Sequence, residues 1–207
     1  MGQKEQTLIM RVVAGAPGAG KSVAFPVNGV GLDYFDADAR AAALNQGSYR
    51  AIPRSIRSIV NKEFEAFIEE HIANGVSFTY ETTLRSSITF EQANRARKAG
   101  FFLIMIYMGL DSVDLHIERV AVRADQGGHS APPSIIRQIH SASHLNFGRA
   151  LVEFDYVVAY DNSGGYPELV LTCKEGRLTF LRLPATEWIQ DAVLAAGLEG
   201  ESTGLRD

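Results

Sequence analysis

A phosphate-binding loop follows the first apolar segment of the chain and constrains the fold more than any other feature. The octapeptide GAPGAGKS fits the pattern GxxxxGK[ST] and comes directly after the apolar run at residues 8–13. Glycines let consecutive backbone amides curl around phosphate oxygens, the lysine reaches the outer phosphates, and the serine hydroxyl ligates Mg²⁺. The helix that follows adds its positive N-terminus. The predicted nucleoside triphosphate site is Gly15, Ala16, Pro17, Gly18, Ala19, Gly20, Lys21 and Ser22.

A proline close behind this loop limits the helix that follows it. Pro26 lies four residues after Ser22, and proline removes a helical hydrogen bond and clashes with the preceding turn. We therefore expect this helix to be short or kinked. A plain glycine-rich turn without a ligand is the alternative interpretation of the motif.

Composition favours a single domain without a nucleic-acid partner. The 207 residues are 46% hydrophobic, which suffices for one substantial core. We expect this core at about residues 8–168, a hairpin and helix at about 169–196, and a flexible tail at 197–207. The formal net charge of −4 lacks the basic character typical of nucleic-acid binders. A single cysteine, Cys173, predicts neither an intramolecular disulfide nor a zinc site.

The N-terminal hexapeptide is polar and lacks the apolar stretch of a signal peptide. The longest apolar run, residues 101–110, is too short to cross a bilayer. The sequence thus predicts a soluble, cytoplasmic protein with no membrane partner.

Strand-like and helix-like segments alternate along the chain. This alternation predicts an α/β fold with a mostly parallel sheet. The predicted strands are residues 8–13, 32–35, 76–80, 101–108 and 156–160, and the predicted helices are 56–72, 87–98, 112–124 and 133–153. A polar loop rich in helix breakers, residues 125–133, is expected to form the edge of a mobile lid. Residues 169–173 and 178–183 read as a hairpin, followed by a short helix that contains Trp188.

Two aspartates end the second predicted strand. Ligands of open parallel sheets bind at the carboxyl ends of the strands, so polar residues there are candidates for function. Asp36 is a candidate for substrate binding, and Asp38 for the base that takes the proton of an attacking hydroxyl. The alternative is that Asp38 only caps a helix at residues 39–44.

A second polar cluster follows the third predicted strand. Glu81, Thr83 and Arg85 bring a carboxylate, a hydroxyl and a cation to the same crevice. That mixture suits a polar substrate that carries hydroxyl groups. A capping loop with a surface ion pair is the alternative interpretation.

Cations lie on both sides of the predicted lid loop. Arg119, Arg123, His129 and Arg137 are placed to close on a triphosphate and neutralise the charge that develops during transfer. Taken alone, such arginines are more often solvated helix residues. The remaining helix histidines, namely His71, His116, His140 and His144, are interpreted as partly exposed.

Six motifs follow one another over about residues 8–170. They are the phosphate loop, YFDAD at 34–38, ETTLR at 81–85, IERV at 117–120, GGH at 127–129 with Pro132, and YDNS at 160–163. Read in order, they resemble the zeta-toxin family, and most closely its compact branch of predicted ATPases. Their order and spacing are more specific than the phosphate loop alone.

The resemblance implies a nucleoside-kinase-like fold with a helical lid, and a kinase that uses ATP and Mg²⁺ on the amino sugar of UDP-N-acetylglucosamine. GTP is an alternative nucleotide. By resemblance, Lys21 and Ser22 serve ATP and Mg²⁺, and Asp38 is the general base. Glu81 and Thr83 hold the sugar, and Arg119 binds phosphate. Zeta toxins are usually neutralised by a small helical antitoxin, so a partner on a separate chain is implied.

Two positions depart from the family pattern. His129 stands where sugar-nucleotide kinases carry a second lid arginine, so catalysis depends more on Arg123. Ile139 stands near a position that is commonly arginine in the compact branch. The predicted function is an ATP-dependent kinase of a small nucleotide-linked metabolite. The alternatives are a kinase of another acceptor, such as the ribose of NAD, and a nucleotide-binding regulatory module without transfer activity.

Overall fold

A computed structural model of the protein describes residues 7–26, 28 and 31–198. Most of the tail predicted to be flexible, residues 199–207, lies outside this part of the chain. The strands are β1 Ile9–Ala14, β2 Asp33–Phe35, β3 Phe78–Thr82, β4 Phe102–Gly109, β5 Tyr156–Asp161, β6 Glu168–Lys174 and β7 Arg177–Leu181. The helices are α1 Lys21–Ala24, α2 Ala37–Leu44, α3 Arg54–Asn74, α4 Ile88–Lys98, α5 Val113–Asp125, α6 Pro133–Glu153 and α7 Glu187–Ala195.

The strands form one seven-stranded sheet in the order β2-β3-β1-β4-β5-β6-β7. The first five strands of this order are parallel, and β6 and β7 extend the sheet as an antiparallel hairpin. The predicted α/β class, the mostly parallel sheet and the hairpin are confirmed. Ala14, at the end of β1, pairs with Thr82 of β3 and with Tyr107 of β4. The carboxyl ends of these strands therefore meet at one edge, where the phosphate loop begins.

The parallel strands are apolar because helices cover them. Met10 and Val12 of β1 and Met105 of β4 are fully buried. They share one core cluster with residues of α3, α4, α6 and α7, including Ile68 and Phe147. The helical spacing of apolar residues at 56–72 is thus confirmed as the packing face of α3 except at Ile59, which is 47% exposed. None of the helices in the described residues has the length and apolar character needed to span a bilayer.

Helix α7 packs against α6 and closes the core at the hairpin end of the sheet. Trp188 and Ile189 are 5% and 1% exposed, so this face of the last helix packs onto the body of the protein. Leu194 of the same helix is 59% exposed.

Candidate active site

The phosphate loop joins β1 to α1 through glycines in conformations that other residues rarely adopt. Gly15, Gly18 and Gly20 have φ of 143°, 85° and 90°. A Cβ on Gly18 would lie 2.7 Å from the carbonyl oxygen of His116. One on Gly20 would overlap the side chain of Asn162. The glycines therefore let the loop curl and pack closely on α5 and on the turn after β5, and a curled glycine-rich backbone forms a cradle that suits phosphate oxygens.

Helix α1 is only four residues long, as the position of Pro26 predicts. Its first residue, Lys21, is 7% exposed, and Nζ donates hydrogen bonds to the carbonyl oxygens of Gly15 at 2.8 Å and Ala16 at 3.3 Å. Burial lowers the pKa of the Lys21 ammonium, and the nearby carboxylate of Glu81 opposes this shift. The ammonium is thus held inside the loop, within reach of a phosphate in the cradle.

Glu81 lies near the end of β3 and connects to both polar side chains of the phosphate loop. Its Oε2 accepts a hydrogen bond from Ser22 Oγ at 2.8 Å, and its Oε1 lies 3.5 Å from Lys21 Nζ. A hydroxyl and a carboxylate side by side are hard oxygen ligands of the kind that Mg²⁺ takes together with water and phosphate. The residues present therefore fit Mg²⁺ bound with a nucleotide.

The two aspartates after β2 have different surroundings. Asp36 caps α2, because its Oδ1 accepts a hydrogen bond from the backbone N–H of Ala39 at 2.9 Å. The alternative in which Asp38 is the cap is therefore wrong. The Asp38 carboxylate is 61% exposed, and its Oδ1 lies 3.9 Å from His129 Nε2. Asp38 follows the carboxyl end of β2, which pairs in parallel with β3, so it lies at the same edge of the sheet as Glu81.

The three arginines predicted at the lid have different surroundings. Arg123, at the end of α5, is close enough to Lys21 to lower its pKa. Arg119 instead donates long hydrogen bonds, of 3.4 and 3.5 Å, to the carbonyl oxygens of Ser163 and Gly164. Arg137 forms an exposed ion pair with Asp114 at 2.6 Å, and the structure does not bring it to the site.

Arg57 of α3 joins the lid side of the site, although the sequence does not single it out. Its Nη2 lies 3.3 Å from His129 Nε2, the same atom that approaches Asp38. Because guanidinium groups only donate hydrogen bonds, His129 Nε2 accepts this one. Residue 57 carried no signal in the sequence, because the contact joins segments 72 residues apart.

The loop after β3 holds Thr83 and Arg85 through an unusual backbone conformation. Leu84, between them, is fully buried with φ of 55°, which is rare for a residue with a side chain. Its N–H donates to Thr82 Oγ1 at 3.1 Å, and Asn146 Nδ2 of α6 donates to its carbonyl oxygen at 2.9 Å. Thr83 is half-buried and Arg85 exposed, and their assignment to substrate stays a prediction.

Two further side chains support the phosphate loop from outside the predicted set. His116 Nδ1 donates to the carbonyl oxygen of Pro17 at 2.7 Å, and Asn162 Nδ2 donates to that of Ala19 at 2.8 Å. The expectation that His116 is partly exposed is wrong, because its ring is fully buried. Burial lowers the pKa of His116 to about 4, so it is neutral at pH 7.

Comparison with solved structures places this fold. The AvrRxo1-ORF1:-ORF2 complex with ATP aligns with a TM-score of 0.65 at 13% identity, over 97% of this chain and 67% of that chain. The PezAT chromosomal toxin-antitoxin system of Streptococcus pneumoniae aligns with a TM-score of 0.64 at 14% identity, over 94% of this chain and 88% of that chain. This chain therefore shares the fold of these two structures. A putative kinase from Chloroflexus aurantiacus is 22% identical over 67% of this chain and 79% of its own, with a TM-score of 0.51.

Sequence comparison adds one relative of limited extent. An uncharacterised protein of Haemophilus influenzae is 27% identical over 74 residues, which is 36% of this chain and 50% of that protein. No family model matches the chain. Structural similarity therefore shows the fold of this chain and not its chemistry.

Proposed function

We propose that the protein is an ATP- and Mg²⁺-dependent kinase that phosphorylates a hydroxyl of a small nucleotide-linked metabolite. The observation that carries this proposal is the gathering of Lys21, Ser22, Glu81 and Asp38 at one edge of the sheet. A phosphate cradle alone needs only the lysine and the serine. Two carboxylates beside it supply what transfer to a hydroxyl requires, namely a proton acceptor and a polar group that orients the acceptor.

The residues of the chain divide the work of transfer. Backbone N–H groups of the loop hold the triphosphate, and Lys21 exchanges the carbonyl oxygens of Gly15 and Ala16 for oxygens of the outer phosphates. Ser22 would hold Mg²⁺, which would supply neutralisation of the phosphate charge. Arg123 adds positive charge from the lid side.

Asp38 is the proposed general base. The acceptor oxygen bonds to the γ-phosphorus, the bond from that phosphorus to the bridging oxygen breaks, and ADP leaves with the electron pair. The proton of the acceptor hydroxyl goes to the Asp38 carboxylate, which is 61% exposed and so accessible to a substrate. His129 Nε2 lies 3.9 Å from the Asp38 carboxylate and accepts a hydrogen bond from Arg57, so Arg57 reaches this part of the site through His129.

UDP-N-acetylglucosamine is the first candidate acceptor, with the ribose of NAD as the second. Glu81, Thr83 and Arg85 offer a carboxylate, a hydroxyl and a guanidinium along one loop, which suits a sugar bearing hydroxyls and a phosphate. The fixed backbone at Leu84 supports this role, because a strained, buried loop beside a site presents its side chains in one geometry.

Mass spectrometry of a metabolite panel tests this function. Wild-type protein and the variants Asp38→Asn and Asp191→Asn are incubated with ATP, Mg²⁺ and a panel that includes both acceptors. Asp191 lies exposed on α7 and serves as the matched control. A phosphorylated product from the wild type and Asp191→Asn only supports the proposal. ATP binding without any product from the wild type favours a nucleotide-binding regulatory module.

A neutralising partner chain is a separate proposal. One structure of the same fold, PezAT, is a toxin-antitoxin system. We propose that expression of this chain arrests growth and that an antitoxin on another chain relieves the arrest. Growth of cells that express the wild type or Lys21→Ala tests this: arrest by the wild type alone supports it, and harmless expression of active enzyme contradicts it.

A further inference from the structure

The last helix, α7, contributes a buried tryptophan that contacts the residue at the end of β5. Trp188 of α7 is 5% exposed, and its Nε1 donates a hydrogen bond to Asp161 Oδ2 at 3.0 Å. The edge of the indole packs on Gly109 so closely that a Cβ there would lie 2.7 Å from it. The tryptophan is therefore fitted into the carboxyl end of β4, next to the strand that Asp161 ends.

Asp161 links Trp188 to the turn that follows β5. Its second oxygen, Oδ1, accepts a hydrogen bond from the backbone N–H of Ser163 at 2.7 Å. The backbone N–H of Asn162 donates to the carbonyl oxygen of Gly109 at 3.0 Å. Asp161 is itself only 9% exposed. One nearly buried carboxylate thus joins α7 to the turn and leaves the turn little freedom.

Asn162, in the middle of this turn, holds the phosphate loop. Its Nδ2 donates to the carbonyl oxygen of Ala19 at 2.8 Å. The carbonyl and the N–H of one trans peptide point in opposite directions. Because Asn162 holds the oxygen of Ala19 toward itself, the N–H of Gly20 in the same peptide points away from Asn162. Gly20 has φ of 90°, and because glycine adopts many backbone conformations without strain, the hydrogen bond from Asn162 selects one of them.

We propose that Trp188 and Asp161 are positioning residues for the phosphate loop. The C-terminal helix then serves the nucleotide site, because Trp188 orients Asp161, Asp161 fixes the turn, and Asn162 sets the peptide between Ala19 and Gly20. The expected change in ATP binding rests on the proposed function. The expected change in the order of the loop does not.

A second hydrogen bond to the phosphate loop limits how far loss of the Trp188 contact can loosen it. His116 holds the carbonyl oxygen of Pro17 from α5, independently of the turn after β5. Loss of the Trp188 contact therefore loosens the loop without unfolding it. We expect faster opening by about fivefold, since a single hydrogen bond contributes roughly 1 kcal/mol.

Hydrogen exchange of the loop, followed by mass spectrometry without added nucleotide, tests the proposal directly. The variants are Trp188→Phe, which keeps a ring but removes the donor, and Asn162→Ala, which removes the last link. Asp161→Asn is a third variant. It also changes the surroundings of Asp111, whose pKa is raised by burial and by Asp161.

Two matched controls in the same aromatic cluster separate positioning from general destabilisation. Tyr107→Phe removes a buried hydrogen bond, the 3.0 Å contact with Ser143 Oγ. Phe147→Leu shrinks a buried ring that lies 5.7 Å from Trp188. Neither change touches Asp161. The melting temperature of every variant is measured alongside.

The proposal predicts exchange about fivefold faster for residues 15–22 in Trp188→Phe and Asn162→Ala, and unchanged exchange there in both controls even where their melting temperatures fall. Equal exchange of this segment in Trp188→Phe and the wild type would overturn it, as would equal acceleration in the controls. The Kd for MgATP then separates the two proposals. No ATP binding by the wild type contradicts the proposed function alone.

Discussion

Ser22 Oγ donates a hydrogen bond to Glu81 Oε2 over 2.8 Å and so ties the phosphate loop to the end of β3. The other oxygen of the same carboxylate lies 3.5 Å from Lys21 Nζ. Glu81 therefore balances the charge of the buried lysine and holds the hydroxyl expected to ligate Mg²⁺. This places the candidate substrate carboxylate in direct contact with the nucleotide machinery.

The first prediction concerns Glu81→Gln. The amide keeps the shape of the side chain but removes the charge that the acceptor and Mg²⁺ would meet. We expect kcat/KM for the acceptor to fall about 10- to 100-fold, the value of a hydrogen bond to a charged group, while the Kd for ATP changes less than about threefold. Steady-state kinetics with varied acceptor measure kcat/KM, and equilibrium dialysis measures the Kd for ATP. Equal losses in both would contradict a substrate role.

The second prediction concerns Gly18→Ala. The residue has φ of 85°, and its new Cβ would lie 2.7 Å from the carbonyl oxygen of His116. Gly47→Ala is the matched control, because Gly47 has φ of 81° but no atom within 4 Å of a Cβ. Each variant bears backbone strain of about 1–3 kcal/mol, and only Gly18→Ala also distorts the cradle. We expect both to melt earlier than the wild type and only Gly18→Ala to lose ATP binding. ATP binding by Gly18→Ala at wild-type affinity would argue against the loop as the phosphate site.

The third prediction is a loss of stability in mild acid. Burial, with the neighbouring His140, lowers the pKa of His144 to about 3, and burial lowers that of His116 to about 4 with further contributions from His140, Lys21 and Arg119. Because the unfolded chain has histidines of pKa near 6.5, it binds more protons than the fold below that pH. Stability is therefore retained above pH 6.5 and falls as the pH decreases below it, by at most about 1.4 kcal/mol per pH unit for each group.

Urea unfolding at pH 7.5, 6.5, 5.8 and 5.0 measures this effect. In His144→Phe the slope between pH 6.5 and 5.0 should decrease, because one proton acceptor of the unfolded state is gone. The aromatic side chain keeps the packing of His144 on His140, whose ring centroids are 3.9 Å apart. An unchanged slope in His144→Phe would contradict the assignment of His144 as a buried neutral residue.

The elements of the fold were predictable because their signals are local. The phosphate loop, the apolar strand runs and the ends of α6 at Pro133–Glu153 can each be read from a short window of residues. The two aspartates after β2 were harder to separate, because a cap and a base have the same side chain two residues apart. Only the hydrogen bond from Ala39 assigns the cap to Asp36.

The supporting residues of the site could not be predicted, because their contacts join distant segments. Asn162 and Ala19 are 143 residues apart, and His116 and Pro17 are 99 apart. Asn162 belongs to the YDNS motif, but neither this motif nor the helical position of His116 shows which carbonyl oxygen the side chain contacts. The prediction that Arg137 is a lid cation is not met, although its sequence position suits the lid. Asp114, 23 residues away, forms an ion pair with Arg137 at the surface.

The central claim is that Asp38 accepts a proton during phosphoryl transfer from ATP. The most direct measurement incubates the protein with γ-³²P-labelled ATP, Mg²⁺ and a protein-free extract of bacterial metabolites, and then separates labelled products by thin-layer chromatography. This readout assumes no particular acceptor. The account predicts a new labelled metabolite with the wild type and its loss in Asp38→Asn, whose Kd for ATP stays unchanged. A labelled product formed by Asp38→Asn at the wild-type rate would contradict it.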